Sequence, residues 1–212
     1  MDGNGSHPSS STLTVLGEPM DFKRHIENAW NLTLNNIVAL ILLTLVFVGV
    51  SLLSLFIMFP VVLAGYTQSL LLLVRNGREP RVQDLFSHMN LFLPLLGFCV
   101  VVSIVILIGF SMFVLPGLLI TVAVTFCCIY VVPLMTDKEM NVMDAVKESY
   151  ALSRRGEIVD HVVLVIIFLA ITMIGGTVFI GVLFTQPLAM LFLLSTYEER
   201  LNATPPPVHQ QP

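Results

Sequence analysis

Apolar residues dominate three long stretches of the chain, and polar positions gather in short clusters between them. No Asp, Glu, Lys or Arg occurs in 28–74, 85–136 or 161–197. The mainly apolar cores of these blocks cover about 37–74, 91–134 and 162–194. A hydrocarbon layer of about 30 Å takes roughly 20 helical residues at a rise of 1.5 Å, so each core is too long for one crossing and about right for two. Turn-forming residues divide each one: Phe59-Pro60, Leu115-Pro116-Gly117 and Thr185-Gln186-Pro187. Proline suits a first helical turn, where its missing N–H costs nothing. The pattern predicts six transmembrane helices in three hairpins, over 37–58 and 61–74, 91–114 and 118–134, 162–184 and 188–197. The last of these is short; a turn at Gly175-Gly176, with Pro187 kinking the sixth helix, is the alternative.

A shorter pattern precedes each hairpin. Phe22, Val82 and Val142 are spaced sixty residues apart. Four residues on come Ile26, Phe86 and Val146, and seven on come Ala29, Met89 and Ser149. Trp30 and Tyr150 match at the next position, where the middle copy has Asn90. Apolar residues three and four apart make one helical face, so each segment reads as a cytoplasmic, interfacial amphipathic helix. The whole becomes a threefold pseudo-repeat over about 20–76, 80–137 and 140–201. Each unit crosses an even number of times, so the copies run parallel, about an axis along the membrane normal. The Gly-, Ser- and Pro-containing stretch 1–18 reads as a disordered tail, 19–201 as one membrane domain, and the Pro-rich 202–212 as a second disordered tail.

Composition places this all-α architecture in a bilayer. Only 11% of the 212 residues are charged and 56% are hydrophobic, with a mean hydropathy of +0.89. Soluble domains carry roughly 25% charged residues, enough to face water all round; this chain does not. The ten Lys and Arg all fall outside the predicted hairpins, on the side shared by both termini. By the positive-inside rule both termini are expected in the cytoplasm. The net charge of −4 decides little, and no basic cluster suits nucleic acid. Cys99, Cys127 and Cys128 lie within apolar runs and read as small hydrophobes, with no metal-binding or disulfide spacing. A polar lead precedes the first apolar run, so no cleaved signal peptide is expected.

Ala29-Trp30, Pro60 with Gly65, Asp84-Leu85-Phe86, Pro116, Asp144-Ala145 with Ser149, Pro187 and Tyr197 form an ordered set of landmarks over about 22–201. In this order the chain resembles a broad group of small bacterial membrane proteins. The group includes the membrane domain attached to some glycerophosphoryl diester phosphodiesterases. The resemblance implies a six-helix protein of the bacterial inner membrane. It implies no activity, because the hydrolase domain of the fused members has no counterpart here.

Candidate chemistry is sparse. An ionisable side chain deep in a bilayer is costly and marks function, and none falls within the predicted spans. Asp160 and His161 stand at the start of the fifth helix, as an interfacial titratable pair open to proton relay. Adjacent helical residues point apart, however, and an interfacial His is ordinarily solvated. His25 and His88 lie on the amphipathic segments. The one polar cluster inside a span is Tyr66, Thr67, Gln68 and Ser69, which suits either a bound solute or hydrogen bonding between helices. No catalytic motif, cofactor motif or metal-ligand spacing is present. The sequence therefore points to a non-enzymatic scaffold, assembly factor or accessory subunit, partnered by the bilayer and by other membrane proteins or further copies of itself. The alternative is a transporter or lipid-handling protein with an apolar substrate.

Overall fold

Residues 20–154, 158–176 and 179–202 are described by a computed structural model of the chain. The expected tail at 1–18 and residues 203–212 lie outside the described residues, and Asn202 belongs to the final helix. Among the described residues the structure is helical, without strands.

The first helix, α1 (Phe22–Asn35), starts where the Asp21 side chain accepts from Arg24 N–H at 3.1 Å, satisfying one of the free donors of its first turn. At Asn36 the chain turns by 89° into α2 (Ile37–Leu53). Beyond α2, Leu55 and Phe56 adopt φ of 50° and 64°, a left-handed backbone that disfavours side chains with a Cβ. Pro60 then sits in the first turn of α3 (Phe59–Asn76). This helix ends on Gly77 at φ 64°, whose N–H bonds Leu73 O at 2.9 Å, the usual left-handed stop.

Two short 3₁₀ turns, Val82–Phe86 and Met89–Leu91, stand where the second amphipathic helix was expected. Here Ser87 Oγ bonds back to Asp84 O at 2.7 Å, in competition with helical bonding. The carbonyls of Asp84 and Leu85 also press on Gly65 of α3, where any Cβ would collide with them. The segment is thus flattened against α3. Helix α4 (Phe92–Met112) follows, and the single extended residue Phe113 joins it to α5 (Val114–Cys128). Gly109 and Gly117 let this pair approach closely: a Cβ on Gly109 would lie 3.2 Å from Gly117 Cα.

Within the expected helix over 118–134 a turn at Ile129-Tyr130 separates α5 from α6 (Val131–Asp137), which carries Pro133 in its first turn, while the two together remain one span-length stretch, Val114–Asp137. That proline supplies no N–H to the carbonyl four residues back and crowds it. The third amphipathic segment forms α7 (Val142–Ser153), where Asn141 Oδ1 accepts from Asp144 N–H at 3.0 Å.

Helices α8 (Ile158–Gly176) and α9 (Phe179–Asn202) correct the expected boundary. The break at Thr185-Gln186-Pro187 does not occur, and α9 runs straight through Pro187. Helix α8 includes both glycines of the alternative division, Gly175 and Gly176, and α9 begins at Phe179; residues 177–178 lie outside the described residues. Packing accounts for the choice. A Cβ on Gly175 would strike the Thr185 side chain, and one on Gly181 would lie 3.0 Å from Gly175 O. A close helix crossing is therefore built on 175–185, and a proline is tolerated in a helix when neighbours shield the freed carbonyl.

The core is formed by α3, α6 and the second half of α9, closed by α1 and α2. Tyr66, Tyr130, Tyr197 and Phe192 are its largest fully buried side chains. Helix α1 presents His25, Ala29 and Thr33 inward and leaves Ile26, Trp30 and Leu34 exposed. Helix α4 buries only Leu95 and Gly109 and turns Leu93, Val101, Ile104, Leu107 and Ile108 outward. By length and apolarity three helical stretches can cross a membrane: Val82–Met112, Val114–Asp137 and Ile158–Gly175. Taking the bent α1–α2 pair as one span makes four. Exposed apolar helices of this kind suit a membrane-embedded protein.

Candidate functional site: polar side chains at the helix ends

Three helix ends meet around one cation. Arg75, in the last turn of α3, donates from Nη1 to Asp137 Oδ1 at 2.7 Å and from Nη2 to Asp137 Oδ2 at 3.2 Å. Its Nε donates to Glu198 Oε1 of α9 at 3.1 Å, and Nη2 also contacts that oxygen. Tyr197 donates its hydroxyl to Asp137 Oδ2 at 3.3 Å, and Lys138 stands 3.7 Å from the same carboxylate. Hydrogen bonds to Asp137 and then Glu198 hold the guanidinium pKa above its ordinary value. The fork of the guanidinium makes it the suitable cation for two carboxylates at once.

The four residues of the expected polar patch go to separate partners. Tyr66 Oη and Thr44 Oγ1 lie 3.0 Å apart between α3 and α2. Thr67 donates to Leu63 O of its own helix at 2.8 Å. Ser69 donates to Asp84 Oδ2 at 2.8 Å, and Arg78 pairs with that carboxylate as well. Gln68 keeps its Oε1 buried without a hydrogen-bond partner. Successive helical residues point about 100° apart, so four in a row cannot line one site.

Asp160 and His161 also diverge. Asp160 Oδ2 accepts from Met20 N–H at 3.2 Å. His161 is fully buried within the chain rather than solvated. Its Nε2 donates to Phe126 O at 3.0 Å, because a carbonyl only accepts, and its ring meets Phe126 edge-on at 4.5 Å. Nδ1 is left buried and unpaired. His88, half-buried, meets Ser87 Oγ at 2.8 Å.

His25 is the residue that sequence reasoning undervalued. It is 3% exposed, and each ring nitrogen has a partner on α9: Ser195 Oγ at 2.6 Å from Nδ1 and Glu199 Oε2 at 2.6 Å from Nε2. Arg24 Nη2 reaches the same Glu199 oxygen at 2.8 Å. The available signal was the i, i+4 spacing of Ser195 and Glu199, which puts both on one helical face. No group of His, Cys, Asp and Glu among the described residues suits a metal ion.

The fold and these sites define the chain as a helical protein with the apolar surface of a membrane-embedded one. Comparison with protein-family models, with curated proteins and with solved structures finds no match.

Proposed function

We propose that this chain is a six-span protein of the bacterial cytoplasmic membrane, with both termini in the cytoplasm, acting by packing as a scaffold, assembly factor or accessory subunit. The observation that carries this reading is the division of its surface. The outer faces of α4 and α5, including Leu93, Leu107, Leu115 and Leu119, are exposed and apolar, whereas the ion pairs gather at Arg75, Asp137 and Glu198. In this reading α3 and α9 are the remaining spans. Both are lined by other helices and so need less apolarity than lipid contact demands.

Three parallel units fit the same frame. Segments begin at Phe22, Val82 and Val142, and the residues three further on, His25, Leu85 and Ala145, are all buried. The 89° bend between α1 and α2 suits an amphipathic helix lying in the interface ahead of a span. Exposed Trp30 and Tyr150 suit the headgroup layer.

Isolating the tagged chain in native lipid particles and identifying what accompanies it by mass spectrometry tests the packing role. A protein in fixed stoichiometry is the expected result; recovery of the chain with lipid alone would remove it. Topology is tested separately in a cysteine-free background. Phe56→Cys and Leu115→Cys should react with an impermeant maleimide from outside intact cells, and Glu79→Cys and Glu139→Cys should not. The reverse pattern would invert the assignment.

A transporter or lipid-handling role is the second reading, favoured by the unpaired Oε1 of Gln68 in α3. Gln68→Leu should then abolish solute or lipid accumulation, and normal accumulation in that variant would exclude a substrate site there.

A further inference from the structure

Where α1 crosses α9, three polar side chains from opposite ends of the sequence form one hydrogen-bonded chain. Ser195 and Glu199 stand one turn apart on α9, and His25 lies between them at 2.6 Å from each. A carboxylate only accepts, so the proton on the ring belongs to Nε2 and is donated to Glu199. In the neutral ring Nδ1 is then bare, and the Ser195 hydroxyl donates to it. The carboxylate thereby sets the tautomer of the imidazole, and the imidazole is placed to take a proton from the serine. Hydroxyl, base and orienting acid within hydrogen-bond reach are the requirements for an activated nucleophile. Burial differs along the chain of bonds: His25 is shielded, while Ser195 is only half-buried.

The surroundings favour an anionic transition state. His25 is in the first turn of α1, at the positive end of that helix dipole. Arg24 adds a cation whose side chain is 60% exposed. Ser195 is inside α9, where backbone amides are engaged within the helix, and Arg24 Nη2 pairs with Glu199 at 2.8 Å, one turn along α9, so its charge acts on the site through that carboxylate.

We propose that Ser195 is the nucleophile of an acyl-transfer site, with His25 as general base and Glu199 as positioning residue, acting on carboxylic esters held at the bilayer surface. Ser195 Oγ bonds to the ester carbonyl carbon as its proton passes to His25 Nδ1. The carbon–oxygen bond to the alcohol then breaks, and His25 returns the proton to the departing alkoxide. Water attacks the acyl-serine with His25 again as base, releasing the carboxylic acid and restoring the Ser195 hydroxyl. The substrate class rests on the membrane placement proposed above: exposed Ile26, Trp30 and Leu34 on α1 set the site beside the acyl layer. The hydrogen-bonded triad does not depend on that placement, and this activity is additional to the packing role.

The test uses the full chain in its own membranes, with a small fluorophosphonate probe and two chromogenic esters, one of short and one of long acyl chain. The probe should modify Ser195, as located by peptide mass spectrometry, and Ser195→Ala should abolish that adduct. His25→Gln and Glu199→Gln should each slow modification at least about tenfold, and Glu199→Asp should restore most of it. An unmodified Ser195 in the wild-type chain, beside a serine hydrolase that labels in the same membranes, would overturn the proposal. Equal labelling in His25→Gln would do so too, because the serine would then be unactivated. Hydrolysis of the long-chain ester should exceed that of the short one. The opposite preference would keep the triad and overturn both the substrate class and the bilayer placement behind it.

Discussion

Helix α3 and the α4–α5 pair are both apolar, yet they meet opposite surroundings. In α3, eleven of eighteen residues are buried, and the helix carries Tyr66, Thr67, Gln68 and Ser69 at its middle. In α4, two of twenty-one are buried, and most of its outward positions are Val, Ile, Leu and Phe. The difference teaches that polarity within these helices follows what surrounds them. Where other helices stand around a segment, hydroxyls find partners such as Thr44 and Asp84. Where nothing among the described residues covers it, only hydrocarbon side chains can face lipid without a desolvation penalty.

Glycine substitution breaks the comparison most sharply. Gly65→Leu would drive a side chain into the backbone carbonyls of Asp84 and Leu85, which cannot swing aside. A loss of about 3 kcal/mol or more is expected, read as loss of the folded form in thermal unfolding in native lipid particles. A Cβ on Gly97 of α4 meets nothing within 4 Å among the described residues, so Gly97→Leu should leave the melting temperature unchanged. Equal destabilisation by the two would show that the α4 face is covered in the membrane.

Truncation gives the next effect. Leu70→Ala in α3 removes a fully buried side chain and should cost about 2–5 kcal/mol. Leu107→Ala, at a position 66% exposed, should stay within about 0.5 kcal/mol in the same assay. Arg75→Gln follows. It strips the cation from Asp137, whose side chain is only 6% exposed, and a broken buried pair costs several kcal/mol. Arg75 itself is about a third exposed, so screening brings the expected loss down to about 1–3 kcal/mol. Protease protection of the 77–81 loop is a suitable second readout. The smallest effect is Tyr66→Phe. It removes the bond to Thr44 and should cost about 0.6 kcal/mol, the usual worth of an interhelical hydrogen bond in a membrane. A double-mutant cycle with Thr44→Val would isolate it.

Helical class was legible because apolar runs are local signals, but the expected breaks at Phe59-Pro60 and Leu115-Pro116-Gly117 fall earlier, after Leu53 and at Phe113, because each proline takes a place in the first turn of the helix that follows. Pro187 misled because a proline reads as a boundary, while the Gly175–Thr185 crossing that keeps α9 continuous is a contact between helices. Pro133 was passed over because it lies inside an apolar run, and the turn before it follows from a lost backbone donor. The second amphipathic pattern at Val82 and Phe86 marked the right place but the wrong helix type, since its flattening comes from Gly65 on another element. The polar sites were least legible. Ser195 and Glu199 share a face that spacing reveals, but His25 is 170 residues away from Ser195 and reaches it only through the packing of α1 on α9.

Arg75 has a consequence for the order in which the molecule is made. Its first carboxylate, on Asp137, emerges 62 residues later, and its second, on Glu198, 123 residues later. Until then the end of α3 holds a cation without its counter-ions, while α4 and α5 can already close on each other through Gly109 and Gly117. A ribosome delivering this chain thus releases a finished peripheral pair before the centre exists. The last 24-residue helix completes the middle of the molecule rather than adding to its edge.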